Sequence, residues 1–383
     1  MATLAVAAMA VAAGCGGSSG SDTGGTGGGS SSSLPTSIGE GEGGLNLIAW
    51  QGYTEPNVVK PFEKQTGCQV KVKYGQTSDE MVQLMRSGQY DGVSASGDAT
   101  NRLIAGGDVV PINTDLIPDF KDISAPLQSP PHNTVDGVHY GVSYEWGANV
   151  LMYNTDVVKP APDSWGVVFD GTSYSGKVTA YDSPIYIADA AVYLKATQPD
   201  LGITDPYELT QDQFNAAVDL LKTQRKQIGN YWSSFTSQIQ DFKNGSIVIG
   251  TTWPYQVNAL KAEKSPVEAV LPKEGATGWA DTWMMSSKAA HPNCMLKWMA
   301  YATTPEVQAK TAYTFGSAPA NPKACAILDK EVANYCADYH VTDQNYFDNI
   351  AFWKTPLADC ADDRGTQCVD YSQWTTAWTD IKG

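Results

Sequence analysis

Residues 45–96 read LNLIAWQGYTEPNVVKPFEKQTGCQVKVKYGQTSDEMVQLMRSGQYDGVSAS, and the order of strand and helix patterns in this segment predicts the fold class. Two segments with helical spacing separate three runs with strand character, LNLIAW (45–50), QVKVKYG (69–75) and YDGVSAS (90–96). A capping box, Thr77 to Glu80, opens the second of these helices. The alternation of strand and helix predicts a parallel α/β sheet.

The same alternation returns further along the chain. Strands are predicted at KVTAYD (177–182) and SIVIGTTW (246–253). Thr210 and Gln213 form a second capping box, and Thr304-Pro305 places a cap residue before a helix-initiating proline. We therefore expect two α/β lobes.

Length, charge and composition limit the function classes. The chain has 383 residues, enough for two domains of ordinary size, and a formal net charge of −16. This charge argues against a nucleic-acid partner, because phosphate binding needs clustered basic residues. The motifs of serine hydrolases, zinc proteases, P-loop enzymes and dinucleotide-binding enzymes do not occur in the sequence, and a glycosidase-like carboxylate pair is not singled out by spacing.

The N-terminus predicts export. Residues 1–15 are apolar and end in Ala12-Ala13-Gly14-Cys15, which resembles a bacterial lipobox with Cys15 as the lipidated residue. The alternative is an ordinary cleaved signal in which Cys15 is an incidental thiol. Residues 16–44 are rich in Gly and Ser and predict a flexible linker. We expect a protein anchored by lipid to the extracellular face of the membrane, or a periplasmic one.

The remaining six cysteines predict structural disulfides, since their number is even and the chain is exported. Six cysteines allow several connectivities. Local spacing favours the pairs Cys325–Cys336 and Cys360–Cys368, which leaves Cys68–Cys294.

Aromatic residues recur at the predicted strand ends, where ligands of α/β sheets bind. These groups are Trp50 with Tyr53, Trp253 with Tyr255, Tyr144-Glu145-Trp146 in a predicted turn, and Trp279 and Trp283 on either side of Asp281. Aromatic faces beside a carboxylate suit an organic cation, through cation–π attraction and a charge-assisted hydrogen bond.

From about residue 45 the chain resembles the polyamine-type (spermidine/putrescine) substrate-binding proteins of bacterial ABC importers. The segments that carry the resemblance, in order, are AWQGYTEPNVVKPFEKQTG, YDGVSAS, YEWGANVLMYNTDVV, TTWPYQ, LPKEGATGWADTW and GSAPAN. The resemblance implies a two-lobe periplasmic-binding-protein-like α/β fold, whose hinge-linked lobes close over a cleft. It places lobe 1 at 45–148 with 280–325, and lobe 2 at 149–279 with 326–383.

The resemblance also implies ligand-binding residues. Matched position by position, they are Trp50, Tyr53, Ser96, Trp253, Trp279 and Asp281, with Asp281 holding an ammonium group. Where the family has acidic residues for the far amine, this chain has Ser183 and Tyr186, and Lys354 stands at a position that is commonly glutamine. Asp98 and Glu145 are candidates to supply the missing negative charge.

We therefore expect a binding protein, not an enzyme, that delivers a small cationic amine to a membrane permease and its ATPase subunit. It is expected to be a monomer without cofactor or metal. Alternative ligands are a singly cationic or zwitterionic solute, such as a quaternary ammonium compound or an amino-acid-like molecule. A carbohydrate-binding protein or glycosidase and an adhesive surface module are the rival functions.

Overall fold

The computed structural model describes residues 34–360 and 362–383, so the predicted signal peptide, Cys15 and most of the predicted linker lie outside the described residues. The strands are β1 (Gly44–Ala49), β2 (Gln69–Tyr74), β3 (Gly92–Ser96), β4 (Thr134–Val135), β5 (Val138–His139), β6 (Gly141–Ala148), β7 (Val150–Asn154), β8 (Val178–Tyr181), β9 (Ile228–Trp232), β10 (Ile249–Thr252), β11 (Val267–Val270), β12 (Ala276–Met285), β13 (Ala318–Pro319) and β14 (Ile350–Phe352). The helices are α1 (Pro56–Thr66), α2 (Ser78–Arg86), α3 (Gly97–Ala105), α4 (Ala125–Gln128), α5 (Gly166–Phe169), α6 (Ile187–Thr197), α7 (Gln211–Gln224), α8 (Phe235–Asn244), α9 (Pro254–Ala262), α10 (Pro292–Ala302), α11 (Pro305–Phe315), α12 (Cys325–Glu331), α13 (Tyr335–Asp338), α14 (Gln344–Asp348) and α15 (Tyr371–Lys382). Short 3₁₀ turns lie at Thr114–Leu116, Pro118–Asp122, Pro184–Tyr186, Pro199–Leu201 and Pro322–Ala324.

The first sheet contains the three strands of residues 45–96. Its order is β13-β6-β12-β3-β1-β2, and β14 pairs with β12. β1 is parallel to both β2 and β3, as the sequence predicts, whereas β12 is antiparallel to β3 and β6. At the start of β1, the side chains of Leu45 and Leu47 are buried in the core, whereas Asn46 between them is only partly buried.

The second sheet has the order β11-β7-β10-β8-β9. β8 is parallel to β9 and β10, while β7 is antiparallel to β10 and β11. The predicted strands at 177–182 and 246–253 are β8 and β10, both shorter than predicted.

The chain crosses between the two sheets at two neighbouring points. β6 continues into β7 through Asn149, and β11 leads to β12 through residues 271–275. The backbone N–H of Asn149 donates to the carbonyl of Thr277 (2.9 Å), and its side-chain amide donates to the Thr277 hydroxyl (2.6 Å). These bonds join the two crossing segments side by side.

Helix starts follow the predicted cap residues with two differences. Thr304 precedes α11 as predicted, but its hydroxyl donates to the Tyr301 carbonyl and caps no helix N–H. The capping box of Thr210 and Gln213 is present in both directions. At the second helix, Thr77 accepts from the Glu80 N–H, but the Glu80 carboxylate accepts from the N–H of Gln76 and not from that of Thr77. The reciprocal bond is therefore displaced by one residue.

The prediction of a turn at Tyr144-Glu145-Trp146 is wrong, because these residues lie inside β6. Every residue of this strand is buried. In the sequence, apolar Val142, Tyr144 and Trp146 alternate with polar Ser143 and Glu145, which is the period of a strand and not of a turn.

The six cysteines outside the N-terminal segment are paired in three disulfides. The pairs are Cys68–Cys294, Cys325–Cys336 and Cys360–Cys368, which is the connectivity that local spacing favours. In the part of the chain that the structure describes, no helix has the length and apolar character needed to cross a membrane.

The last residues of the predicted linker contact the body of the protein. Gly39 donates to the side chain of Asn293, and the Glu42 carboxylate accepts from the backbone N–H groups of Asn293 and Cys294. Ordered contacts therefore begin before Leu45. β14, which the predicted lobe boundaries assign to lobe 2, pairs with β12 of the first sheet; the boundaries themselves stay a prediction.

Candidate functional site at the strand ends

Asp281 is at the centre of a group of buried polar residues at the carboxyl end of the first sheet. It lies on β12 directly opposite Ser96 of β3. Its Oδ1 accepts a hydrogen bond from the Ser96 hydroxyl (2.5 Å), and its Oδ2 accepts one from the Tyr53 phenol (2.6 Å). The carboxyl group is thus held by residues that follow β1 and end β3.

Burial dominates the electrostatics of Asp281. Removal from water raises the pKa of this carboxyl to about 7, although the bonds from Ser96 and Tyr53 and the indole of Trp50 act in the opposite direction. The charge of Asp98 raises the pKa further. Because no cationic side chain of residues 34–360 or 362–383 is paired with it, the carboxyl is poised to ionise when a cation arrives.

Glu145 is a second buried acid beside Asp281. The β6–β12 register shifts between Ala280 and Thr282, so that β6 carries an additional residue opposite Asp281. Glu145 Oε2 accepts from the Ser317 hydroxyl (2.7 Å), while Oε1 has no partner. Burial, together with the charge of Asp281, raises the pKa of Glu145 well above its usual range, which favours its protonated form.

Asp98 is a third buried acid, in the first turn of α3. Its Oδ1 accepts from the Ser78 hydroxyl (2.8 Å), and its Oδ2 has no partner. Burial raises the pKa of Asp98 to about 6, against the opposing effect of the Arg102 guanidinium. The first sheet therefore presents three buried carboxyl groups in one region.

Aromatic rings from both sheets meet over this region. Trp50, after β1, and Trp253, after β10, form an edge-to-face pair with ring centroids 5.8 Å apart. Trp253 also contacts Trp232 at 4.9 Å and Tyr181 at 5.3 Å. Since β1 belongs to the first sheet and β10 to the second, these rings form the contact between the two halves.

Tyr181 and Trp353 form the far part of the aromatic wall. Their rings are stacked with centroids 5.7 Å apart and planes 6° from parallel. Trp353 lies directly against the start of α3, where a side chain at Gly97 would collide with its carbonyl oxygen. The phenol oxygen of Tyr181 and the indole nitrogen of Trp353 are buried without hydrogen-bond partners.

Phe315 joins Trp279 to the rest of the site. Its ring contacts Trp279 at 5.3 Å and Tyr53 at 5.2 Å, and Tyr255 of α9 at 5.5 Å. A cavity of about 10 Å³ remains among the rings at this edge, lined by Trp50, Gln51, Gly75, Gln76, Phe235, Trp253, Tyr255 and Phe315. The two halves are therefore in close contact at this edge.

Three predicted ligand-binding residues have other partners. The Ser183 hydroxyl accepts from the N–H of Ile185 and caps a 3₁₀ turn. The Tyr186 phenol accepts from the Gln224 amide (3.0 Å), and its ring packs against Phe169 in the core. Proline at 184 starts the turn that directs Tyr186 away from the strand end.

Lys354 is the third of these residues. Its ammonium group forms ion pairs with Asp205 (2.7 Å) and Glu208. The neighbouring Arg364 guanidinium also pairs with Glu208 (3.5 Å). The charge of Lys354 is therefore balanced by two carboxylates from residues 205–208, and only the adjacent Trp353 joins the aromatic wall.

The structure thus brings together the predicted residues Trp50, Tyr53, Ser96, Asp98, Glu145, Trp253, Trp279 and Asp281. Sequence reasoning missed Tyr181, Trp232, Phe315 and Trp353. Tyr181 is the last residue of a strand that was predicted, so its position at the strand end was an available signal. Trp232 ends β9, which was not predicted, and the other two follow from tertiary contacts alone.

The side chains at the site have the chemistry that suits an organic cation. Carboxyl groups supply charge, and indole faces supply cation–π attraction in a region shielded from water. Within the described residues, no group of three or more His, Cys, Asp or Glu side chains has the arrangement of a metal site.

Comparison with known proteins agrees with this fold. A family model described as bacterial extracellular solute-binding protein matches residues 57–342. The chain is 26% identical over 315 residues to a putrescine/agmatine-binding protein of Pseudomonas aeruginosa, covering 77% of this chain and 83% of that one. It is 24% identical over 294 residues to a spermidine/putrescine-binding periplasmic protein of Escherichia coli, covering 76% and 81%.

Solved structures share the architecture. A protein from Listeria monocytogenes described as a spermidine/putrescine ABC transporter superposes with a TM-score of 0.74 at 19% identity, covering 89% of this chain and 99% of that chain. The two-lobe α/β fold predicted from the sequence is thereby confirmed.

Proposed function

Because this chain belongs to the bacterial extracellular solute-binding proteins, we propose that it captures a small cationic amine for an ABC importer. The observation that carries the proposal is the buried Asp281 carboxyl, held by Ser96 and Tyr53 and surrounded by indole rings. A protonated amine satisfies both features, since it neutralises the carboxylate and binds the rings. The relatives named for putrescine, agmatine and spermidine support this ligand class.

The mechanism is capture without covalent chemistry. The aromatic walls desolvate the cation, and Asp281 balances its charge. The lobes then close over the ligand, with the crossing segments near Asn149 and Thr277 as the hinge. The proposed lobes are 45–148 with 280–325, and 149–279 with 326–383. The closed protein then presents both lobes to a permease, whose ATPase subunit drives uptake.

The sequence and the family support a setting outside the cytoplasm. We assign the protein to the outer face of the cell membrane, held there by a lipid on Cys15 and acting as a monomer. Its net charge of −16 favours encounter with cations at low salt.

A thermal-shift screen of the purified protein tests the function. The panel contains putrescine, agmatine, spermidine, choline, glycine betaine, amino acids and several sugars. An amine at 100 times its dissociation constant stabilises the fold by about 2.7 kcal/mol and raises the melting temperature measurably. If sugars alone raise it, the carbohydrate-binding alternative is correct and the proposal is wrong.

A further inference from the structure

Residues 39–43 read GEGEG and are here called the strap, because they lie across the Cys68–Cys294 disulfide. A Cβ atom added to Gly41 would be 2.7 Å from Sγ of Cys68 and 3.0 Å from Sγ of Cys294, so the backbone of Gly41 contacts both sulfurs. Both cysteines are 0% exposed, whereas four of the five strap residues are exposed. The strap is therefore the layer that separates this disulfide from solvent.

Hydrogen bonds fasten the strap on both sides of Gly41. Before it, the N–H of Gly39 donates to Oδ1 of Asn293 (2.8 Å). After it, the Glu42 carboxylate accepts from the backbone N–H groups of Asn293 (2.9 Å) and Cys294 (3.0 Å). The same carboxylate also accepts from the side-chain amide of Asn293 (2.7 Å). Glu42 takes part in three of these four bonds, so it is the main fastening of the strap.

Glu42 also serves as the cap that α10 lacks. The residue before this helix, His291, makes no side-chain hydrogen bond to the N–H groups of the first turn. Those N–H groups have no partner within the helix, and they favour an anion. Although partial burial acts in the opposite direction, the bonds from Cys294 and Asn293 lower the pKa of Glu42 below its ordinary value. The fastening is therefore a charged one at neutral pH.

The strap contains no apolar side chain that could anchor it in the core, since its five residues are glycines and glutamates. A segment with few buried apolar contacts opens locally while the rest of the protein stays folded. A disulfide is reduced only when a thiolate reaches one of its sulfurs. Opening of the strap is therefore the step that admits a thiol to the Cys68–Cys294 bond.

We propose that the strap is a gate that controls reduction of the Cys68–Cys294 disulfide, and that Glu42 keeps this gate shut. When the strap opens, an external thiolate attacks Sγ of Cys68, and Cys294 leaves as a thiolate. The N–H groups of α10 that Glu42 vacates then favour the new negative charge. A second external thiol attacks the mixed disulfide, so that the protein gains two electrons and two protons and the external thiols are oxidised to a disulfide. The inference goes beyond the proposed function, since it concerns neither the ligand nor its site.

Timed reduction of the folded protein with dithiothreitol at pH 8 tests the proposal. Alkylation of the freed thiols at each time point, followed by mass spectrometry of the peptides, gives a separate reduction rate for each disulfide. The Cys360–Cys368 pair does not contact the strap and is the reference within the same molecule. Urea unfolding of every variant measures its global stability.

Two variants open the strap in different ways. Glu42→Gln removes the charge of the fastening, and Gly41→Ala adds a methyl group that collides with Sγ of Cys68. Because Gly41 does not have a positive φ, alanine strains that contact and not the backbone. Glu40→Gln is the matched control. It removes an equal charge two residues from Glu42, from a carboxylate that accepts no hydrogen bond from residues 34–360 or 362–383.

We expect the Cys68–Cys294 bond to be reduced about tenfold faster, or more, in Glu42→Gln and in Gly41→Ala than in the wild type. The rate in Glu40→Gln should stay within about twofold of the wild type, and the rate for Cys360–Cys368 should not change in any variant. An unchanged rate in Glu42→Gln overturns the proposal. It is overturned as well if the rate rises only by the factor by which the variant raises the globally unfolded population, because reduction then depends on unfolding and not on the strap.

Discussion

The phenol of Tyr53 donates a 2.6 Å hydrogen bond to the carboxylate of Asp281, across 228 positions of the sequence. The bond joins the segment after the first strand to the long strand β12. It fixes one oxygen of the carboxylate, while Ser96 fixes the other. The group that is proposed to bind the amine is therefore held in place by the fold, and binding does not have to order it.

Amine binding should depend on pH through Asp281. Its pKa is about 7 in the ligand-free protein, because burial disfavours the charged form. Since the ammonium group binds the carboxylate, each binding event below pH 7 must release a proton. We expect the association constant to be nearly constant between pH 8 and pH 9, where the amine is still protonated, and to fall roughly tenfold per pH unit below pH 7. Titration calorimetry in buffers of different ionisation enthalpy measures this release. A pH-independent affinity between pH 5 and 8 would contradict it.

Removal of the charge at Asp281 should stabilise the empty protein at alkaline pH. The folded-state pKa is raised above the usual 3.8, so the contribution to stability is fully present below pH 3.8 and is lost as pH rises through 7. Asparagine has no charge to bury. Asp281→Asn should therefore be more stable than the wild type by roughly 4 kcal/mol at pH 8, but not at pH 4. Urea unfolding at both pH values checks this, and a variant that is less stable at pH 8 contradicts it.

Tyr53→Phe should weaken amine binding, because Asp281 loses a hydrogen-bond donor that favours its charged form. The change keeps the ring against Phe315 but removes the donor to Asp281, so the pKa of Asp281 should rise. We expect affinity at pH 7 to fall about tenfold, corresponding to one hydrogen bond to a charged group. At pH 9 the loss should become smaller. Tyr144→Phe, which removes a phenol that bonds Thr311 instead, is the control.

The long-range disulfide should stabilise the fold more than the short one. Cys68–Cys294 closes a loop of 226 positions, and Cys360–Cys368 closes one of 8. Because a cross-link over a longer loop removes more entropy from the unfolded chain, the double alanine variant of the first pair should lose about 2–5 kcal/mol. The variant of the second pair should lose less. Denaturant unfolding of both variants makes the comparison, and the reverse order would contradict it.

Much of the fold could be predicted because local and tertiary preferences agree. β1, β2 and β3 alternate with α1 and α2 in the predicted order, and the capping box at Thr210 begins α7. The strand period of β6 was present in the sequence, where Val142, Tyr144 and Trp146 alternate with Ser143 and Glu145, but the glycines at 141 and 147 that border it are typical of turns.

The carboxylate half of the site was accessible from the sequence, whereas its aromatic half was only partly so. Trp279 and Asp281 are two residues apart on one strand, and this spacing alone places their side chains on one face. Trp353 and Phe315 reach the site through long-range packing that no local pattern encodes. Lys354 was predicted at the site but has other partners. Its ammonium group pairs with Asp205 and Glu208, which come from a loop distant in sequence.

The affinity of Asp281→Asn for an amine measures how much the Asp281 carboxylate contributes to binding. Isothermal titration at pH 8 would compare the wild type, Asp281→Asn and the control Asp182→Asn, whose carboxylate is bonded to Lys382, using the amine with the largest thermal shift. If Asp281 neutralises the ligand, Asp281→Asn should bind at least 30-fold more weakly, a loss of about 2–5 kcal/mol, and Asp182→Asn should bind within threefold of the wild type. An Asp281→Asn protein that binds the amine as tightly as the wild type would contradict the account.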